Sequence, residues 1–132
     1  MKIIALHPNK TYEIVDTIDL LKKMQELVGG RVELVLPVKK VAGSHHVYVN
    51  EEGVMKQLPN NYYGAYILEK LGYGMTNFFM CTPQGVLVLC GSHNEDDASL
   101  SKLTIDKVKE LHEKMDEESS ESSRDSSPVR DR

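Results

Sequence analysis

The run Val86-Leu87-Val88-Leu89 constrains this chain more than any other stretch. Four successive aliphatic residues leave no polar side, so a strand built from them is covered on both faces and lies at the centre of a sheet. Around it the hydrophobic pattern changes period repeatedly. Lys2–Leu6 and Thr11–Val15 are β-prone runs joined by His7-Pro8-Asn9-Lys10. Proline followed by asparagine is turn chemistry, so a hairpin is expected. Arg31–Pro37 alternates, with Val32, Leu34 and Leu36 on one face and Arg31, Glu33 and Val35 on the other. His46–Asn50 alternates with Val47 and Val49 inward. Asn50-Glu51-Glu52-Gly53 reads as a turn with Gly53 at positive φ, and Val54–Leu58 as a short returning strand. Asn77–Cys81 and Gly85–Cys90 form a second hairpin about Pro83-Gln84-Gly85, and Gly91–Asp97 is a polar loop.

Three stretches carry helical spacing. Asp16 is placed to cap the first, with Val15 and Leu20 as a hydrophobic staple and Leu20, Met24 and Leu27 as its apolar stripe. Gly29-Gly30 ends it. Asn61 caps a second over Tyr62–Leu71, with Ala65, Ile67, Leu68 and Leu71 inward. Thr104 caps the third, whose Ile105, Val108, Leu111 and Met115 face the core, with Leu103 stapled to Val108. The order predicts an α+β fold: an antiparallel or mixed sheet of about five to six strands with two to three helices packed on it.

Charge gives the domain boundary. Residues 116–132 hold six of the 20 acidic residues, three of the 16 basic ones, six serines and a single aliphatic, Val129. Such a composition buries too little apolar surface to offset the entropy of ordering, so a disordered acidic, serine-rich tail is expected after a single domain over 1–115. Ser127-Pro128 is a proline-directed phosphorylation context, and Ser122 with Asp125 an acidophilic one. Such a tail suits a eukaryotic host.

Several function classes drop out. No apolar run approaches the roughly 18 residues of a membrane span. The apolar stretch at the start is too short for a signal peptide, so a cytoplasmic, unsecreted protein is expected. Net charge −4 and pI 5.7 disfavour nucleic acid as a partner. No phosphate-cradling loop, nucleophile elbow or metalloprotease helix is present. Cys81 and Cys90 stand too far apart along the expected hairpin for a bridge and read as reduced core thiols. His45-His46 could ligate a metal with His93, Asp96 or Asp97, but adjacent strand residues point to opposite faces, so at most one histidine joins. Neither a metal nor a cofactor is expected, and no catalytic residue is assigned.

The polar residues that gather in one turn-rich segment are Asn50, Glu52, Lys56, Asn60 and Asn61, followed by Tyr62 and Tyr63. Amide, carboxylate and ammonium groups beside an aromatic pair suit the orientation of a polar ligand or partner. These seven are the candidate binding residues, although Asn50, Gly53, Pro59 and Asn60 also serve turn chemistry.

The run Leu27-Val28-Gly29-Gly30-Arg31-Val32-Glu33-Leu34-Val35, followed by Asn50-Glu51-Glu52-Gly53 and Leu58-Pro59-Asn60, resembles an uncharacterised family of small proteins. Its members are encoded by phages, mobile elements and large DNA viruses and are known only as a domain of unknown function. The shared pattern is a short N-terminal strand, a helix ending ELVGG, the NEEGxxKxLPxN stretch, an apolar strand and a C-terminal helix. Tyr62–Thr76 is more helical than that pattern, and the serine-acidic tail is an addition to it. The resemblance implies a viral or mobile-element origin and brings no established activity. Together with an interaction-prone tail and the absence of catalytic motifs, it leads to the expectation of an accessory protein that acts in the host cell by binding a host protein, without catalysis. A small-ligand binder, for instance of a nucleotide, and a hydrolase with an unrecognised site are the alternatives.

Overall fold

The protein is described here by a computed structural model covering residues 1–36, 45–73, 83–93 and 96–125, with Leu36 and 116–125 as backbone alone. Lys2–His7 (β1) and Thr11–Asp16 (β2) form the expected hairpin, Lys2 opposite Asp16 and His7 opposite Thr11. Its turn closes from the Lys10 amide to the His7 carbonyl, and Lys10 takes the left-handed conformation. Leu20–Val28 (α1) follows, then Val32–Leu36 (β3), His45–Asn50 (β4), Tyr62–Lys70 (α2), Leu87–His93 (β5), Asp96–Ala98 (β6) and Lys102–Asp125 (α3). The strands make one six-stranded sheet in the order β2-β1-β5-β4-β3, with β6 also on β5 and every pairing antiparallel. This is an α+β domain.

The apolar run at 86–89 does what its composition dictates. Leu87 and Leu89 enter a core shared with Ile4, Leu6, Val47 and Val49 under α2 and α3. Val88 and Cys90 enter a second cluster with Ile3, Met24 and Val28 under α1. Fully burying a side chain of this size contributes about 1.5–3 kcal/mol, and β5 does so on both faces. It is the structural centre of the molecule.

Local details differ from the sequence expectations for identifiable reasons. The cap of α1 is Asp19, whose carboxylate accepts from the Lys22 amide, while Asp16 stays in β2 and pairs with the N-terminal amine at 3.1 Å. Val15 and Leu20, the expected staple pair, both pack partly buried on the cluster beneath α1, while Ile18, the residue just before the Asp19 cap, is exposed. Ser101, not Thr104, accepts from the Thr104 amide at the start of α3, and Leu103 is exposed instead of stapled. A register shift between Leu34 and Leu36 breaks the alternation of β3: Val35 packs on the larger core and Leu34 faces out. Gly53 is not at positive φ; a Cβ there would stand 3.2 Å from the Gln84 carbonyl oxygen, a tight contact that the 84–85 backbone would have to relieve by a few tenths of an ångström. Val54–Leu58 is no strand. The amides of Gln57 and Leu58 bond back to the carbonyls of Val54 and Gly53, the paired closure that ends a helical turn, with Gln57 left-handed. The expected polar loop after Cys90 is the β5–β6 hairpin, Gly91 opposite Ala98 and His93 opposite Asp96. The expected arm Asn77–Cys81 and its thiol lie outside the described residues.

The helical backbone of α3 continues to Asp125, ten residues into the stretch whose composition points to disorder; Glu117, Glu118 and Glu121 are good helix formers, which composition-based reasoning on burial does not weigh. Among the described side chains, the last of α3 against the core are Leu111 and, partly buried, Met115. We propose that folding needs only residues 1–115. A chain ending at Met115 should keep its thermal midpoint within about 2 °C of the full chain in a calorimetric scan, and a larger drop would show that the remainder packs on the body.

Candidate functional site

The seven candidate binding residues divide into two groups. Asn50 is buried: its amide donates to the Val28 carbonyl at 3.0 Å and its Oδ1 accepts from the Glu52 amide at 2.7 Å, tying the end of α1 to the turn. Asn61 is fully buried, and its Nδ2 donates to the carbonyls of Leu6 and Gly85, both at 2.8 Å, while Oδ1 caps α2 through the Gly64 amide. Tyr63 is 2% exposed and its hydroxyl pairs with His112 Nδ1 at 2.8 Å. These three hold the scaffold. Glu52, Lys56, Asn60 and Tyr62 face out. Lys56 pairs with Glu52 at 3.4 Å, and the Asn60 amide donates to the Tyr62 hydroxyl at 3.2 Å. Beside them stand side chains that the sequence did not single out: Val54 is 68% exposed and Met55 81%, with Tyr62 at 65%.

The backbone beneath is firmly held. Asn61 donates from its amide to the Pro83 carbonyl and Gly85 to the Pro59 carbonyl, both at 2.7 Å, and the Glu51 amide donates to the Arg31 carbonyl at 2.8 Å. The Gln84 side chain adds a bond to the Leu58 carbonyl. A backbone already fixed in this way has little further backbone entropy to lose when a partner covers the side chains it carries.

A second polar constellation lies in the sheet, on the α1 face. His46 stands directly opposite Cys90 in the β4–β5 pairing, and Asp97 opposite Ser92, two residues further along β5. Cross-strand partners share a face, so these side chains converge on Asp97. His46 Nδ1 lies 2.7 Å from Asp97 Oδ1, the Tyr48 hydroxyl donates to both carboxylate oxygens at 2.9 and 3.0 Å, and the Cys90 thiol donates to Oδ1 at 3.4 Å. A carboxylate only accepts, so Nδ1 of His46 carries the proton in this pairing. Burial pushes the Asp97 pKa up, but the donors from His46, Tyr48 and Cys90 outweigh it and hold the carboxyl below its usual range. Burial, and then the negative Asp97, push the Cys90 thiol and the Tyr48 phenol well above theirs. Among the described residues, His46, Cys90 and Asp97 are also a group able to offer three metal-ligand atoms, all within 4.8 Å of one another.

A protonated thiol aimed at a carboxylate is the opposite of an activated nucleophile, which needs a lowered pKa and a neighbouring cation or base. This cluster is not built for cysteine catalysis.

His45 points to the other face, as adjacency on a strand requires. Its Nδ1 pairs with the Tyr73 hydroxyl at 2.6 Å and its Nε2 with Thr104 Oγ1 at 3.1 Å. Burial lowers the His45 pKa, keeping the ring neutral at pH 7, and raises that of Tyr73 to about 12. The ring borders a cavity of 180 Å³ lined by Gly91, Ser92, Ser99, Ser101 and Thr104. Ligand pockets for drug-sized molecules run from about 300 Å³, so this one is small for a nucleotide. Ser122 is present only as backbone, and Ser127 lies outside the described residues.

An antiparallel six-stranded sheet between α1 on one face and α2 and α3 on the other defines a small α+β domain. Residues 1–113 match the family described as Domain of unknown function (DUF3846), and the chain belongs to that family. No curated protein and no solved structure matches it. No helix among the described residues is long and apolar enough to cross a membrane.

Proposed function

We propose that this domain is a non-enzymatic accessory protein that docks a protein partner through the outer surface of residues 51–62, the partner being a host protein where a virus or mobile element encodes the chain. The observation that carries this reading is the exposure of Val54, Met55 and Tyr62 on a backbone fixed by Asn50, Asn61 and the 83–85 segment. Methionine and tyrosine suit the role: one is adaptable apolar surface, the other a rigid ring with a polar tip, and aromatic residues anchor binding hot spots. Glu52, Lys56 and Asn60 supply polar surroundings that set orientation more than affinity. The small cavity beside His45 gives a nucleotide-binding role less support, and the protonated Cys90 gives a hydrolytic one less still.

The test compares capture of one protein from host lysate by the wild-type chain and by Met55→Asp, Tyr62→Ala and Leu103→Asp. The first two variants should keep stability within about 0.5 kcal/mol, as exposed sites do, and lose the captured protein. Leu103→Asp, equally exposed but at the start of α3, should retain it. Capture that survives Met55→Asp and Tyr62→Ala contradicts the assignment.

A further inference from the structure

We propose that His46, Cys90 and Asp97 form a binding site for a single borderline divalent metal ion of the zinc class. The three residues bring one nitrogen, one sulfur and one oxygen donor from three different strands to within 4.8 Å. This donor set is the one that zinc and its neighbours accept, whereas magnesium and calcium take oxygen alone.

Two of the three donor separations are close to those needed, and all three lie within 4.8 Å. Tetrahedral ligands at roughly 2.0–2.3 Å from a metal stand about 3.3–3.8 Å from one another. Cys90 Sγ and Asp97 Oδ1 are 3.4 Å apart, already in range. His46 Nδ1 and Oδ1, at 2.7 Å, must separate by about half an ångström, within reach of a small rotation of either side chain. The strands that carry His46 and Cys90 are paired residue to residue in the sheet, so these two donors are held before the ion arrives. Asp97 sits on the three-residue strand β6 and is the most accessible of the three, which makes its side the entry path.

Proton and charge balance also close. On binding, the thiol proton leaves to solvent and the Nδ1 proton of His46 is displaced, the ring becoming the Nε2 tautomer. A thiolate, a carboxylate and a neutral imidazole then neutralise the two positive charges, so the buried site carries no net charge, which is the condition for a low desolvation cost. Tyr48 keeps its bond to Oδ2, orienting the carboxylate while Oδ1 ligates, as outer partners of metal ligands do. Three protein donors leave a fourth position for water or for a group from a partner.

The experiment is titration of the untagged full chain with Co²⁺, followed by thiolate-to-cobalt charge-transfer absorption and competition with Zn²⁺. The expected result is saturation at one equivalent, displacement by zinc, retention of the band in Cys81→Ser and its loss in Cys90→Ala. Tyr48→Phe should weaken binding about 10–100-fold without removing the band. Absence of saturable binding, binding without the thiolate band, or a band that survives Cys90→Ala overturns the proposal. Should Cys90→Ala fail to fold, zinc-edge X-ray absorption on the folded Cys81→Ser chain decides it: one sulfur at about 2.3 Å is expected, and a shell of nitrogen and oxygen alone contradicts it.

Discussion

Asn61→Ala should cost the domain about 3–7 kcal/mol, more than most single substitutions. One buried side chain ties three elements together: it donates to Leu6 in β1 and to Gly85 before β5, and it caps α2 through Gly64. Alanine removes the cap, worth about 1 kcal/mol, and takes a partner from two buried carbonyl oxygens at about 1–3 kcal/mol each. Urea unfolding should show the loss as a lower midpoint with little change in slope. Asn61→Ser, which keeps an oxygen for the cap but not the two donors, should fall between. A loss below about 1 kcal/mol for Asn61→Ala would mean that water satisfies these groups and that the residue is not the tie described.

Asp97→Ala should have the second largest effect, on the order of 3 kcal/mol, because hydrogen bonds to a charged group are worth about 1.5–3 kcal/mol and three donors converge here. His46 and Cys90 are buried and lose their acceptor outright, whereas Tyr48 is only half-buried and can turn to water. The same carboxylate sets an acid dependence. Its pKa is lower in the folded than in the unfolded chain, so the folded state binds its proton less readily. The stability it contributes is complete above the unfolded value near 4 and is lost as pH falls through the folded value. His45 acts in a higher window: its pKa is also lowered, so its contribution is complete above about 6.5 and fades below that. Stability measured between pH 7 and 3 should therefore fall in two stages, with the lower stage missing from Asp97→Asn and the upper from His45→Gln. A lower stage that survives in Asp97→Asn would place the acid-sensitive group elsewhere.

Elements defined by short-range pattern were legible in the sequence. The β1–β2 hairpin, the Gly29 terminus of α1, the Asn61 cap and the doubly covered β5 each follow from residues a few positions apart. The misplaced features depend on distant partners. Gly53 looks like a positive-φ turn residue, yet its φ is not positive, and its tightest neighbour is the Gln84 carbonyl, thirty-one positions away, which a Cβ would meet at 3.2 Å. Asn50, Asn61 and Tyr63 looked like a ligand-facing group because buried amides and phenols carry the same side chains as exposed ones; only their partners on Val28, Leu6, Gly85 and His112 separate the roles. His46 and Asp97 are among the metal-ligand types the sequence offers, and the rule of opposite faces leaves one histidine on the Asp97 side. Cys90 and Tyr48 could join them only once the register of β5 against β4 and β6 was known, and three-residue β6 has no strand pattern of its own. Val54 and Met55 were hidden because a strand was expected where the chain makes a helical turn.

The docking face is tested most directly by a photo-crosslinking residue placed at Met55 in the full chain, compared with the same residue at Lys109 on the exposed side of α3. Irradiation in host lysate should give one discrete protein adduct from position 55, suppressed by excess wild-type chain but not by excess Met55→Asp chain, and none from position 109. Adducts of equal yield from both positions, or an adduct at 55 that Met55→Asp suppresses as well as wild type does, would contradict the account.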